Sequence, residues 1–252
     1  VIPARYVEHV MGMPISLALR GRHTRDAAAR DAWAAVIAEL RAVDAVFSTY
    51  RPESVISRLG RGEIGVADCP PEVAEVLALG ERAERESGGA FAIRRPGLDP
   101  SGVVKGWAAE RAAEHLRALP ATDFCLSAGG DIVCRTLDPG GPPWRIGIEN
   151  PADPSRVLAV VPVCTGGVAT SGTVHRGAHL VDGRTGRPPV DVASVTVVAE
   201  SLTWADIDAT AAFALGPAAA GWLATRPGRR GLVVWATGAT TVIGGRPTAL
   251  PR

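Results

Sequence analysis

The sequence predicts an α+β fold in which largely antiparallel sheets pack against helices, in a single globular unit over residues 1–252. Apolar, β-branched runs come in adjacent pairs joined by short turn-forming stretches, as antiparallel strands do. Helices with apolar residues at three- and four-residue spacing fall between these pairs, without the regular alternation of a βαβ series. No linker or internal repeat divides the chain, and no glycine run has the strand–GxGxxG–helix context of a dinucleotide-binding domain.

The elements follow in order. Residues 5–19 read as strand, interrupted at Met11-Gly12-Met13-Pro14. A Gly-Met-Pro break predicts a bulge or a close backbone approach, so Met11 either faces a ligand or fills core. Residues 24–47 predict a helix capped by Thr24, with Trp33, Val36, Ile37, Leu40, Val43 and Phe47 on one face. The polar loop that follows carries Tyr50 and Arg51, which either engage a nucleotide or are simply solvated. Pro70-Pro71 opens a second helix over 72–87, and Gly88-Gly89 ends it. Residues 90–93 read as a short strand and residues 107–119 as an alanine-rich helix. Strands are predicted over 124–127 and 132–134, around Gly129-Gly130, a plain hairpin turn or a small anion-binding nest. Further strands are predicted over 144–149, 157–163, 193–199, 231–236 and 240–243. Residues 166–189 are long, polar and glycine-rich, and poor in core pattern. Within them His179-Leu180-Val181 is strand-like. Thr203 is expected to cap a helix running to Leu215, and a shorter helix spans 218–225.

Composition narrows the function. A net charge of +1 gives no reason to expect nucleic acid or an anionic membrane as partner. No apolar run reaches the roughly 18–20 residues of a membrane span. Val1-Ile2-Pro3 is not a leader peptide, so the chain as given is expected to be cytoplasmic, or exported or membrane-associated where a leader has been removed. Cys69, Cys125, Cys134 and Cys164 form no C-x-x-C pair, which excludes a zinc ribbon or a dithiol motif.

Two stretches carry candidate chemistry. Lys105 is the one lysine among 27 Lys and Arg residues. An ammonium differs from a guanidinium in shape and hydration, so its survival points to a need for one there. It lies between Gly102 and Gly106 at what reads as a loop-to-helix junction. The stretch is either a phosphate-binding turn between Asp99 and Lys105 or an ordinary junction with a solvated lysine. The second stretch is Thr203-Trp204-Ala205-Asp206-Ile207-Asp208-Ala209-Thr210. Asp206 and Thr210 share a helix face, whereas Asp208 points elsewhere. A carboxylate and a hydroxyl there make a partial oxygen site for Mg²⁺ or Ca²⁺, or Asp206 merely complements the helix dipole beside Thr203.

Six motifs, in order, resemble the ApbE family of flavin transferases over nearly the whole chain. They are Ser48-Thr49-Tyr50-Arg51-Pro52-Glu53-Ser54, Asp99-Pro100-Ser101-Gly102-Val103-Val104-Lys105-Gly106, Ala128-Gly129-Gly130-Asp131, Ala169-Thr170-Ser171-Gly172, His179-Leu180-Val181-Asp182 with Arg184-Thr185-Gly186, and Ala205-Asp206 through Thr210. The resemblance implies an ApbE-like, T-fold-like architecture. It also implies Mg²⁺-dependent transfer of FMN from FAD to a threonine of a target flavoprotein, a post-translational modification that releases AMP. The metal set it implies is Asp206, Thr210 and the Gly102 carbonyl, with Ala209 adjacent. FAD is expected at Asp99, Lys105, Met11, Tyr50, Ala90, Phe91, Ala92 and Val181. Lys105 is expected to face the pyrophosphate, and His179, with Asp182 as rival, is the expected proton acceptor. FAD hydrolysis to FMN and AMP, and FAD binding without catalysis, are the alternatives. Three departures stand out: Ala92 where many relatives have Asp, a short connection over 93–98, and Asp182-Gly183 in place of Asp-Pro.

Overall fold

The computed structural model describes residues 3–94, 97–173 and 180–245. Strands β1 (Ala4–Val10) and β2 (Met13–Gly21) form a hairpin. The predicted break is its two-residue turn, with φ of +56° at Met11 and +69° at Gly12. Paired positive φ values match the twist of the flanking strands, so the interruption is a turn and not a bulge. Met11 packs, partly buried, against the main core.

Helix α1 (Ala27–Phe47) is capped by Asp26 and not by Thr24, because the Asp26 carboxylate accepts the Ala29 N–H at 3.0 Å. Helices α2 (Val55–Gly60) and α3 (Pro71–Glu86) follow, the first capped by Ser54 and the second opened by proline in its first turn. Residues 90–93 are not a strand. The Phe91 N–H turns back to Ser87 Oγ, and the Ile93 carbonyl accepts from the Asp99 N–H, so these groups are bonded locally.

Helix α4 (Ser101–Ala112) begins well before the predicted residue 107 and is followed by α5 (Glu114–Arg117). Gly102 and Gly106 look like turn glycines, yet both are helical. Gly106 admits another helix at close range, and Gly102 admits the Phe91 ring.

The chain continues through β3 (Thr122–Ala128), β4 (Asp131–Arg135), β5 (Trp144–Asn150), β6 (Asp153–Val163), β7 (Thr165–Gly172) and β8 (Val192–Ala199). Helix α6 (Leu202–Ala214), helix α7 (Ala219–Ala224) and strands β9 (Arg230–Trp235) and β10 (Thr240–Ile243) complete it. Strand β7 corrects the expectation that 166–189 lacks core structure. Its glycines are there for space: a Cβ on Gly167 would lie 2.4 Å from the Leu202 Cα, where α6 begins.

The main sheet has eight antiparallel strands in the order β1-β2-β3-β4-β7-β8-β9-β10. The β5–β6 hairpin forms a separate two-stranded sheet. Strand β8 is buried on both faces. Val195, Val197 and Ala199 join the helix-side core, whereas Val198 packs with Trp144, Ile146 and Val163 of the hairpin. Period-two alternation therefore sorts each central strand between a helical layer and a hairpin layer.

Helix α6 is buried on nearly every side, as a central helix should be. It runs antiparallel to α4. A Cβ on Gly106 would lie 2.8 Å from the Asp206 Cβ and 3.0 Å from the Leu202 carbonyl oxygen. One turn away, a Cβ on Gly102 would lie 3.8 Å from Thr210 Cγ2. At the far end Glu110 of α4 accepts from the Ser201 hydroxyl at 2.7 Å, the Leu202 N–H at 3.2 Å and the Thr203 N–H and hydroxyl at 3.0 and 2.6 Å. The cap residue of α6 is Ser201, not Thr203, whose hydroxyl is turned to Glu110. A carboxylate at this end also complements the helix dipole.

In an exposed helix, Gly→Ala would add up to about 1 kcal/mol of stability. At Gly106 the methyl has no room, so Gly106→Ala is expected to destabilise by about 1–3 kcal/mol, read as a lower denaturant midpoint at unchanged slope.

Candidate functional site

Helices α4 and α6 and strands β4 and β7 bring their polar side chains to one place. Lys105 Nζ lies 2.5 Å from Asp131 Oδ2 and 3.6 Å from Asp206 Oδ1. The second Asp206 oxygen accepts the Gly106 N–H at 2.9 Å. The second Asp131 oxygen accepts the Thr170 N–H at 3.1 Å. The Thr210 hydroxyl is 3.0 Å from Ser171 Oγ. The conserved geometry of a helix puts Asp206 and Thr210 one turn apart on the face that meets α4.

Asp131 and Asp206 are each 1% exposed, whereas the Lys105 side chain keeps 23% of its surface open. Two buried carboxylates thus share one ammonium, and the cluster carries a formal negative charge. Burial pushes the Asp206 carboxyl up, to about 7. Lys105 pulls it down, the Asp131 charge pushes it further up, and the Gly106 N–H opposes the rise. A buried carboxylate in this state is stabilised by any added cation.

The other expected site residues fall around this cluster at different depths. Asp99 is exposed and accepts the Ser101 N–H at 2.9 Å, at the start of α4. Ala90 and Phe91 are buried, and the Phe91 ring lies against Gly102, 3.1 Å from where its Cβ would stand. Ala209 is fully buried next to Thr210. Tyr50 is 95% exposed on its loop. His179 lies outside the described residues.

Val181 is half-buried and continues into a turn that clamps onto 89–92. The Gly183 N–H donates to the Ala90 carbonyl at 2.9 Å. A Cβ on Gly183 would stand 2.6 Å from both the Ala92 Cβ and the Gly89 carbonyl oxygen. The departures at Ala92 and Gly183 therefore touch each other, and a proline at 183 would lack the N–H. Asp182 is committed to this turn. Its carboxylate accepts from the Arg184 N–H at 2.9 Å, from Nε at 2.9 Å and from Nη2 at 2.8 Å. The Arg184 guanidinium holds its carboxyl below the usual range, which weakens it as a base.

Sequence reasoning assigned no role to Asp131, Ser171 or Glu110. Asp131 had a legible signal. Val133, two residues on, faces the helix-side core, and alternation places Asp131 on the same inward face. An acidic residue at such a position needs a buried partner.

The raised Asp206 carboxyl makes a testable statement about the metal-free protein. The folded state holds this proton more tightly than the unfolded chain. Its contribution to stability is therefore full below about pH 4 and is lost as pH rises through about 7. In EDTA, the stability of the protein relative to Asp206→Asn should fall over that interval in denaturant titrations. A difference that stays flat with pH would contradict the assignment.

Comparison with known proteins identifies the family. A model of the ApbE family matches residues 11–95 and 92–233. The FAD:protein FMN transferase of Escherichia coli K12 is 33% identical over 141 residues, which cover 52% of this chain and 40% of the relative. The match thus spans well under half the length of that curated relative. Among solved structures, the ApbE protein of Thermotoga maritima superposes with a TM-score of 0.83 at 21% identity, covering 96% of this chain and 97% of its own. The apo flavinyl transferase ApbE of Pseudomonas stutzeri gives 0.78 at 25% identity, covering 96% and 94%. With a family model matching along most of its length and the fold shared from end to end, the chain belongs to the ApbE family.

Proposed function

We propose that residues 1–252 act as one Mg²⁺-dependent flavin transferase unit, which moves the FMN half of FAD onto a threonine hydroxyl of a target protein and releases AMP. The observation that carries this reading is the convergence of Lys105, Asp131, Asp206 and Thr210 from three elements, in a member of a family whose curated relatives are named for that reaction.

The donor set fits a magnesium ion. Asp206 and Thr210 offer hard oxygens from one helix face, and the cluster already holds one carboxylate more than its ammonium balances. The Gly106 N–H is the donor that an α-helix assigns to the Gly102 carbonyl. Its bond to Asp206 shares that donor and leaves acceptor capacity on the carbonyl beside Thr210. No group of three or more His, Cys, Asp or Glu suited to a metal occurs among the described residues. A sparse protein set suits Mg²⁺, which takes its remaining ligands from water and substrate phosphate. When bound, the ion would supply positive charge to the phosphoryl oxygens.

The chain's own residues supply the rest. Lys105 reaches from α4 with its ammonium partly open to solvent, so it can pair with a pyrophosphate as well as with Asp131. Asp131 aims the ammonium. The threonine oxygen of the target attacks the FMN phosphorus, the bond to the AMP phosphate breaks, and AMP leaves with its oxygen charge stabilised by Lys105. The threonine proton passes to a base. With Asp182 held ionised by Arg184, His179 is the better assignment for that base. The tight turn at 182–187 against 89–92 is assigned to the flavin end.

The test is incubation with FAD, Mg²⁺ and the acceptor protein of the Escherichia coli relative, followed by intact mass and nucleotide analysis. A mass gain of one FMN with one AMP supports transfer. AMP without labelling identifies a FAD pyrophosphatase, and retained FAD without AMP identifies a binding protein. Asp206→Ala is expected to abolish turnover, and Lys105→Met to lower kcat by roughly 10²–10³-fold, the usual loss on removing one charge-stabilising donor. Full activity of Asp206→Ala in EDTA would remove the metal from the proposal.

A further inference from the structure

We infer that Ser171 is a positioning residue for the cation face of α6, acting through the Thr210 hydroxyl. The inference rests on the metal reading above and adds a residue to it. Ser171 is the seventh residue of β7, is buried, and lies on the helix side of the sheet. Its Oγ is 3.0 Å from Thr210 Oγ1, whereas Thr210 itself is only partly buried.

A threonine inside a helix ordinarily gives its hydroxyl proton to the carbonyl one turn back. For Thr210 that carbonyl belongs to Asp206. The partner described for Thr210 is instead Ser171, across the helix–sheet interface. The difference matters for the lone pairs. An oxygen that binds a cation must direct its proton away from it. With the proton on the line to Ser171, the Thr210 lone pairs are turned off β7, toward the side of α6 that meets Gly102. Ser171 is then the acceptor that makes Thr210 a better ligand, as outer partners do for metal-bound side chains.

The same dipeptide fixes the other half of the cluster. The Thr170 N–H holds Asp131, and the Thr170 hydroxyl is 2.9 Å from that of Thr196 on β8. Strand β7 therefore cannot slide without moving both partners, so Ser171 presents its oxygen from a rigid support.

The test is Mn²⁺ binding followed by the electron paramagnetic resonance of the free ion, with FAD present and acceptor protein absent. Ser171→Ala is expected to weaken binding by about 10-fold, the lower end of the usual effect of such partners. Ser171→Thr, which keeps the hydroxyl, is expected to restore it. Thermal unfolding of metal-free Ser171→Ala at the wild-type Tm shows that the fold is intact. In a Thr210→Ala background, Ser171→Ala should add less than about twofold, because the hydroxyl it orients is gone. Equal effects of Ser171→Ala in both backgrounds, or no effect in either, would overturn the inference. If Asp206→Ala and Thr210→Ala also leave Mn²⁺ binding unchanged, the metal reading itself fails. If they weaken it and Ser171→Ala does not, only the role of Ser171 fails.

Discussion

The close crossing of α4 and α6 is the constraint on which the site depends. Of two glycines one turn apart, Gly106 removes the side chain that would hold the helices apart, and Gly102 makes room for the Phe91 ring. Asp206 occupies the space at Gly106, whereas the Phe91 ring occupies the space at Gly102, with Thr210 in ordinary contact beside it. The approach lets a backbone N–H of one helix reach a carboxylate of the other, a bond of 2.9 Å between residues 100 positions apart in the chain. It also carries Lys105 to within reach of that carboxylate. Glu110 fixes the other end of the crossing by taking the free N–H groups of α6. One helix pair thus sets backbone spacing, charge placement and capping together.

That crossing concentrates charge where solvation is poor. Two carboxylates and one ammonium do not neutralise each other, and burial of Asp206 makes the imbalance costly. A fold selected for stability alone would place apolar side chains there. The surrounding structure accepts the imbalance because it is rigid. Asp131 is tied to β7, Thr210 to Ser171, and Asp206 to α4. A constellation held this way is preorganised for an added cation and for a phosphate that approaches Lys105.

Much of this was legible in the chain. Strand pairs with turn residues gave the antiparallel class, and residues 240–243 match β10 from end to end. Lys105, Asp206 and Thr210 were visible as a lone ammonium and a one-face oxygen pair. What escaped was whatever depends on contact between distant elements. Gly102 and Gly106 read as turn formers because nothing local reveals a helix packed against them. Gly166 and Gly167 hid strand β7 for the same reason, as room for the end of β8 and the start of α6 looks like loop composition. Asp26 and Ser201 displaced Thr24 and Thr203 as caps, because several residues in each stretch could serve and tertiary partners decided. Residues 90–93 have strand composition, but their backbone groups bond to Ser87, to Asp99 and to the distant Gly183 and join no strand.

The two aspartates of α6 show why the chain keeps one lysine among so many arginines. Asp208, two residues beyond Asp206, is equally buried, yet it faces the other side of the helix. There it takes Arg226 at 3.0 Å and Arg229 at 2.6 Å. Arg226 also reaches Glu86 at 2.7 Å and lies over the rings of Trp204 and Trp222. That is an arginine environment: flat surfaces for stacking and several acceptors for a fork of donors. Among the described residues, no ring contact is found for the cation on the Asp206 side. That side holds one oxygen from each of two carboxylates, and a compact ammonium on a flexible stem fits between them. A guanidinium would fix both carboxylates in one plane and compete for the oxygens that a metal needs. A point charge leaves them available. The arginine side locks the rotation of α6 and the lysine side leaves its opposite face chemically open, so the choice of cation divides the helix between structure and function.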